Sequence, residues 1–184
     1  MLQIEIKPKE MFDEDRQVFV QIPGKTIQLE HSLLSISKWE AKWHKPFISK
    51  EEKTLEETID YVKCMTLSPN VSDEVYLGLT NENINEINAY IDNPMTATWF
   101  NEKNIKRGIG KKTDEVVTSE LIYYWMISLN IPVEFQKWHL NRLITLIKVC
   151  DIKNTPPKKM SKREILSRNR SLNEARRMAM GTSG

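Results

Sequence analysis

The chain has 184 residues, of which 40% are hydrophobic and 28% charged, with only six glycines and eight prolines. This length suits one compact domain or one domain with a tail, and this composition excludes a collagen-like or wholly disordered chain. The longest apolar run, residues 121–127, is far shorter than the roughly 20 residues of a transmembrane helix, and the amino terminus lacks a secretory signal pattern. We therefore expect a soluble, cytoplasmic protein with no membrane contact.

The formal charge of +2 is distributed unevenly along the chain. Of the 27 basic and 25 acidic residues, nine basic and three acidic ones lie in positions 151–184, a net charge of roughly +6, which leaves roughly −4 for positions 1–150. We expect three segments: an N-terminal β segment over 1–31, a helical body over 32–150, and a basic tail over 151–184. The tail follows the Pro156-Pro157 pair and is expected to be partly disordered or conditionally helical.

The first thirty residues predict strands. Leu2, Ile4 and Ile6 alternate with polar neighbours, and the same alternation recurs over residues 17–21 and 26–30. Between the last two runs, Pro23-Gly24 has the composition of a turn. We expect a small antiparallel sheet that packs on the helices, because a few short strands are marginally stable alone.

Capping residues then predict a series of helices. Ser32 or Ser35 begins a helix that carries Trp39 and Trp43 on one face, and Thr54 begins a second helix. Two shorter helices are predicted over residues 70–79 and 80–92, and Pro94 ends the latter. The fold class is therefore mainly α, with the small β segment at one end and the basic tail at the other.

Residues 93–117 predict an irregular, mobile loop that contains Trp99 and Phe100. After it, Thr118 or Ser119 begins a helix that is apolar on every side, as in a helix at the centre of a domain. Pro132 suits the first turn of the next helix, which is predicted to run to Val149 and to form a hairpin with its predecessor.

No motif indicates catalysis, a cofactor or a metal. Residues 108–113 place two glycines before two lysines, but the spacing departs from that of a phosphate-binding loop. The three histidines, His31, His44 and His139, belong to no catalytic pattern and are expected at the surface or at an interface. The two cysteines, Cys64 and Cys150, are expected to be reduced core thiols.

Two segments are candidates for partner binding. Trp99 and Phe100 are candidate exposed anchors at a partner surface. The basic tail contributes candidate charged contacts and candidate apolar anchors: Lys158, Lys159, Lys162, Arg163, Arg168, Arg170, Arg176 and Arg177, with Ile165, Leu166 and Leu172. Three interpretations of the tail stay open. It can neutralise nucleic-acid phosphates, although it lacks an aromatic residue for base stacking, or it can fold on an acidic or helical protein partner. In the third interpretation it only aids solubility.

Several segments together resemble a known family. Residues 32–40, 121–126, 136–143, 157–161 and 176–182 are similar to small proteins encoded in the tail-gene cluster of long-tailed bacteriophages, the tail assembly chaperones. The resemblance covers most of the chain as an overall pattern, and its motifs are not signatures of a chemical reaction.

This resemblance implies a mostly helical, non-enzymatic protein of the bacterial host cytoplasm that needs no cofactor. Such a protein binds the tape measure protein, keeps that long helical chain soluble and helps to recruit tail tube subunits. Members are commonly made in a short form and in a longer, frameshifted form, and self-association into a homo-oligomer is compatible with this role.

The N-terminal strands depart from an all-helical chaperone, so a structural virion protein of the tail or connector stays an alternative. A nucleic-acid-binding regulator that uses the basic tail is the other alternative.

Overall fold

The computed structural model describes residues 1–13, 17–49, 51–100, 116–155 and 161–181. Its strands are β1 Leu2–Ile6, β2 Lys9–Asp13, β3 Val18–Ile22 and β4 Lys25–Leu29. Its α-helices are α1 Leu33–Trp43, α2 Leu55–Met65, α3 Asp73–Leu77, α4 Asn81–Asp92, α5 Ser119–Ser128, α6 Leu140–Asn154 and α7 Lys162–Met180, and a 3-10 helix spans Val133–Lys137. The predicted fold class is confirmed, because the described residues are mainly helical with a small antiparallel β segment near the amino terminus.

The four strands form two antiparallel pairs that share one register. β1 pairs with β4, and β2 pairs with β3, so that Leu2 lies opposite Leu29 and Lys9 lies opposite Ile22. Residues 7 and 8 therefore lie opposite residues 24 and 23 with no insertion on either side. The two pairs are successive halves of one ribbon, and we call the β2–β3 half the distal ribbon.

Two prolines account for the interruption of the ribbon. Pro8 and Pro23 face each other at this point, and neither has an N–H group to donate to a strand ladder. A Cβ atom on Gly24 would lie 2.6 Å from Cδ of Pro8, so only glycine fits between the strands here. The turn predicted at Pro23-Gly24 is wrong: β3 and β4 run on in one direction and do not pair with each other.

The β1–β4 pair forms one wall of the core. This strand pair contributes four buried side chains to the core: Ile4, Ile6, Ile27 and Leu29. They pack in one hydrophobic cluster with buried residues of the helices, among them Leu33, Ile36, Trp39, Tyr61, Met65, Ile122 and Leu143. Each fully buried aliphatic side chain stabilises the fold by about 1.5–3 kcal/mol, so this short sheet is held by the helices on which it packs.

The helices begin where local capping patterns predict. Ser32 caps α1 together with Ser35, and Thr54 caps α2 together with Glu57; in both helices the capping is reciprocal between side chain and backbone. Thr118 caps α5 by accepting a hydrogen bond from the backbone N–H of residue 121. Each cap satisfies N–H groups that the first helical turn leaves without an acceptor.

A buried carboxylate joins three segments of the body. Glu40 of α1 is 8% exposed, and its two carboxylate oxygens accept hydrogen bonds from different backbone groups. One bond comes from the N–H of Phe47 and the other from the N–H of Ser119, each at 2.8 Å. Glu40 therefore ties the loop after α1 and the first residue of α5 to the last turn of α1.

Two helix predictions for the second half of the body are wrong. The helix α5 is not buried on every side: Ile122 and Met126 face the core and α1, whereas Tyr124 is 64% exposed and Ile127 is 74% exposed. The single helix predicted from Pro132 to Val149 is divided, because the 3-10 helix ends at Lys137 and α6 begins only at Leu140.

The division of that helix has a tertiary cause. Ser32 and His139 form an isolated antiparallel bridge, and the N–H of Leu140 donates to the carbonyl oxygen of His31 at 2.8 Å. Residues 138 and 139 are held in extended pairing with the segment after β4, so a continuous helix through this point is impossible.

The chain divides into two compact units, Met1–Ile152 and Lys153–Gly184. The first unit holds the strands, helices α1 to α5 and most of α6. The second unit contains α7, which Ser161 caps together with Glu164 and which Gly181 ends in the left-handed region at φ 64°. Every residue of α7 is exposed. Within the described residues, no helix is both long enough and apolar enough to cross a membrane.

Candidate partner-binding surfaces

Two of the three histidines lie in the interior, contrary to the prediction of positions at the surface or at an interface. His31 is 3% exposed and His139 is 6% exposed, and their rings meet edge to face with centroids 5.1 Å apart. Nδ1 of His31 shares a hydrogen bond of 2.5 Å with the hydroxyl of Tyr61, and Nε2 of His139 lies 3.0 Å from the carbonyl oxygen of Tyr90. The Tyr90 hydroxyl donates to Glu30 at 2.8 Å. We call these five residues the buried histidine cluster.

Burial keeps the cluster histidines neutral. Desolvation, followed by the proximity of His139, lowers the pKa of His31 to about 3. Desolvation also lowers the pKa of His139 and raises the pKa of the Tyr61 and Tyr90 hydroxyls above their usual range. Every polar side-chain atom buried in the described residues has a hydrogen-bond partner. Through these hydrogen bonds and ring contacts, the cluster links the segment after β4 and the residue before α6 to helices α2 and α4.

The predicted anchor at Trp99 is exposed. Trp99 follows α4 in a segment without helix or strand, and 91% of its surface is accessible to solvent. The neighbouring Phe100 is only partly exposed. The two predicted anchors therefore differ in their surroundings, and Trp99 is the one that a partner can reach on most of its surface.

The distal ribbon is an exposed apolar surface that the sequence reasoning missed. Phe12 of β2 lies directly opposite Phe19 of β3, with ring centroids 5.1 Å apart, and these side chains are 46% and 67% exposed. The consecutive apolar residues 18–20 were the available signal, because strict alternation with polar residues is typical of a strand with one solvated face. Tyr124 and Ile127 add a second exposed apolar pair on the outer face of α5.

The residues predicted to bind partners through the tail lie mostly on α7. All of the following are exposed on this helix: Lys162, Arg163, Ile165, Leu166, Arg168, Arg170, Leu172, Arg176 and Arg177. Lys158 and Lys159 lie outside the described residues. Ile165, Leu172 and Ala179 recur every seven residues and share one side of the helix, which we call the apolar stripe.

The described residues contain no group of three His, Cys, Asp or Glu side chains placed to hold a metal ion. Cys64 and Cys150 are partly buried free cysteines, and burial raises the pKa of the Cys64 thiol. The glycine and lysine residues 108–113 lie outside the described residues, as does most of the loop predicted over 93–117.

Comparisons of the chain with protein-family models, with curated proteins and with solved structures found no match.

Proposed function

We propose that this protein is a non-enzymatic tail assembly chaperone, which binds the tape measure protein and helps to recruit tail tube subunits in the bacterial cytoplasm. The sequence resemblance to tail assembly chaperones suggests this role. The observation that carries the proposal is the apolar stripe on α7, a helix of 19 residues that is exposed throughout.

The apolar stripe fits a helical client. Ile165 and Leu172 lie two turns apart on one side of α7 and are 43% and 46% exposed. A seven-residue spacing is the spacing at which one helix packs along another, and an amphipathic helix is a common means of covering an apolar partner helix. Reversible packing of this kind holds a client in solution without any chemical step.

The acidic body and the basic tail support a role in assembly rather than simple storage. Residues 1–150 and 151–184 carry net charges of roughly −4 and +6, so the two parts attract surfaces of opposite sign. The distal ribbon offers a further apolar contact through Phe12 and Phe19. A protein with several separate contact surfaces can hold a client while it engages a second protein.

Co-expression with the tape measure protein of the same gene cluster tests the proposal. The full chain is expected to raise the soluble fraction of the tape measure protein and to co-purify with it. The double variant Ile165→Ser/Leu172→Ser is expected to lose most of this effect, because it removes the apolar stripe. Met178→Ser is the control, since Met178 is 84% exposed but lies outside the stripe.

Two results would contradict the proposal. If the tape measure protein stays insoluble in the presence of the full chain, the protein does not act as its chaperone. Stoichiometric retention of the chain in finished, purified particles would instead identify a structural virion protein.

A further inference from the structure

A second heptad pattern lies on the side of α7 that faces away from the apolar stripe. Arg163, Arg170 and Arg177 recur every seven residues, and each is followed three residues later by one of Leu166, Asn173 and Met180. At 100° per residue, the three arginines lie about 160° around the helix from the apolar stripe, and the residues three positions after them lie about 100° from it. We call these six residues the arginine seam.

The arginine seam has the spacing of a helix-packing surface. Alternating steps of three and four residues are the a and d positions of a coiled coil, where side chains insert between those of a facing helix. Leu166 is 68% exposed and Met180 is 73% exposed, so apolar side chains accompany the arginines along the seam. The rise of 1.5 Å per residue places successive arginines of the seam about 10.5 Å apart along the helix. Side chains that recur every seven residues on a straight partner helix have the same spacing.

A second copy of α7 does not fit the arginine seam. Parallel pairing of two such helices would bring each arginine against its own copy in the facing chain, and like charges held together disfavour association. α7 as a whole contains six basic residues and only two acidic ones, Glu164 and Glu174, so an antiparallel copy offers little compensation. The partner surface must therefore differ from α7 and carry negative charge.

The same face disfavours nucleic acid. Glu174 follows Arg170 by four residues and precedes Arg177 by three, so one carboxylate reduces the net positive charge of this face; a phosphate backbone depends on that charge alone, whereas a facing helix also packs against Leu166 and Met180. α7 also contains no aromatic residue on which a base could stack. A planar guanidinium, in contrast, binds a carboxylate through two parallel hydrogen bonds.

From this pattern we infer that the arginine seam docks on an acidic helix of another protein, whose carboxylates repeat every seven residues. The inference deepens the proposed function and rests on it, because the seam then recruits a second protein while the apolar stripe holds the client. α7 acts as a bridge between two helices of different chemistry.

A designed peptide tests the inference with the full chain. The probe is a helical peptide of three heptads with Glu at each a position and Leu at each d position; the control peptide has the same composition with Glu moved from a to f. Nuclear magnetic resonance titration at low salt measures the two affinities. The full chain is expected to bind the probe about tenfold more tightly than the control peptide, as three aligned ion pairs allow.

A matched pair of variants locates the binding. Arg163→Gln/Arg170→Gln/Arg177→Gln is expected to lose about tenfold in affinity for the probe, whereas Lys162→Gln/Arg168→Gln/Arg176→Gln, which removes the same charge, is expected to lose less than threefold. Glutamine and arginine have similar helix propensities, so both variants keep α7 folded, and circular dichroism verifies this.

Equal affinity for the two peptides, or equal losses in the two variants, would overturn the inference. So would duplex DNA that binds more tightly than the probe with the same dependence on the seam arginines. The chaperone proposal is tested separately by the solubility of the tape measure protein. If the chain keeps that protein soluble but the arginine seam does not bind the probe, only the inference about the seam is refuted.

Discussion

Acidification from pH 7 to pH 5 is expected to destabilise the body through the buried histidine cluster. His31 is almost fully buried, it hydrogen-bonds the Tyr61 hydroxyl, and its ring meets that of His139. A proton on His31 would place a charge in the core, where the hydrogen-bond partner of its Nδ1 is the Tyr61 hydroxyl. The folded protein therefore resists a proton that the unfolded chain accepts.

The sign and size follow from the two pKa values of His31. The pKa is about 3 in the folded protein and 6.5 in an unperturbed histidine, so the unfolded state binds more protons over the interval between these values. The stability is fully present above pH 6.5 and is lost as the pH falls toward 3. At pH 5 the loss from His31 alone is about 2 kcal/mol. The lowered pKa of His139 acts in the same direction.

Urea denaturation followed by tryptophan fluorescence at pH 7, 6 and 5 measures this loss. The full chain is expected to lose at least about 2 kcal/mol of unfolding free energy between pH 7 and pH 5, and His31→Gln is expected to lose at least about 1 kcal/mol less over the same interval. His44→Gln is the matched control, because it makes the same substitution at an exposed histidine outside the buried histidine cluster.

A free energy of unfolding that is the same at pH 7 and pH 5 would refute the reasoning. So would a His31→Gln variant whose pH dependence matches that of the unchanged chain, since the proton uptake would then arise elsewhere.

Two further predictions concern the body and the tail. Glu40→Ala leaves the backbone N–H groups of Phe47 and Ser119 without their acceptor, so it should lower the free energy of unfolding in urea by about 3 kcal/mol. The control Glu86→Ala, at an exposed position on α4, should lower it by less than about 0.5 kcal/mol. Similar losses for the two variants would contradict the bridging role of Glu40. A chain ending at Ile152 should unfold with a free energy within about 0.5 kcal/mol of that of the full chain, because every residue of α7 is exposed. A loss above about 1 kcal/mol would show that the stability of the body depends on the tail.

The starts of helices and the alternation of strands could be read from the sequence because they depend on neighbouring residues. Ser32, Thr54 and Thr118 cap their helices through atoms three positions away along the chain. The exposure of Trp99 was predictable from its neighbours as well, because it lies in a segment without helix or strand, and such segments run over the protein surface.

The tertiary structure alone decided which surfaces are buried. His31 and His139 are more than a hundred positions apart, and the pairing of residues 31 and 32 with residues 139 and 140 brings their rings together and divides the predicted helix after Pro132. No periodicity in one segment reports such a contact.

The helix α5 and the ribbon illustrate the same limit. The sequence of α5 is apolar on all sides, but α1 and the neighbouring elements cover only part of it, so Tyr124 and Ile127 stay exposed. The pairing of β1 with β4 and of β2 with β3, rather than a turn at Pro23-Gly24, placed Phe12 and Phe19 outside the core. Local chemistry thus determined where the elements begin, whereas long-range packing determined which of their faces a partner can reach.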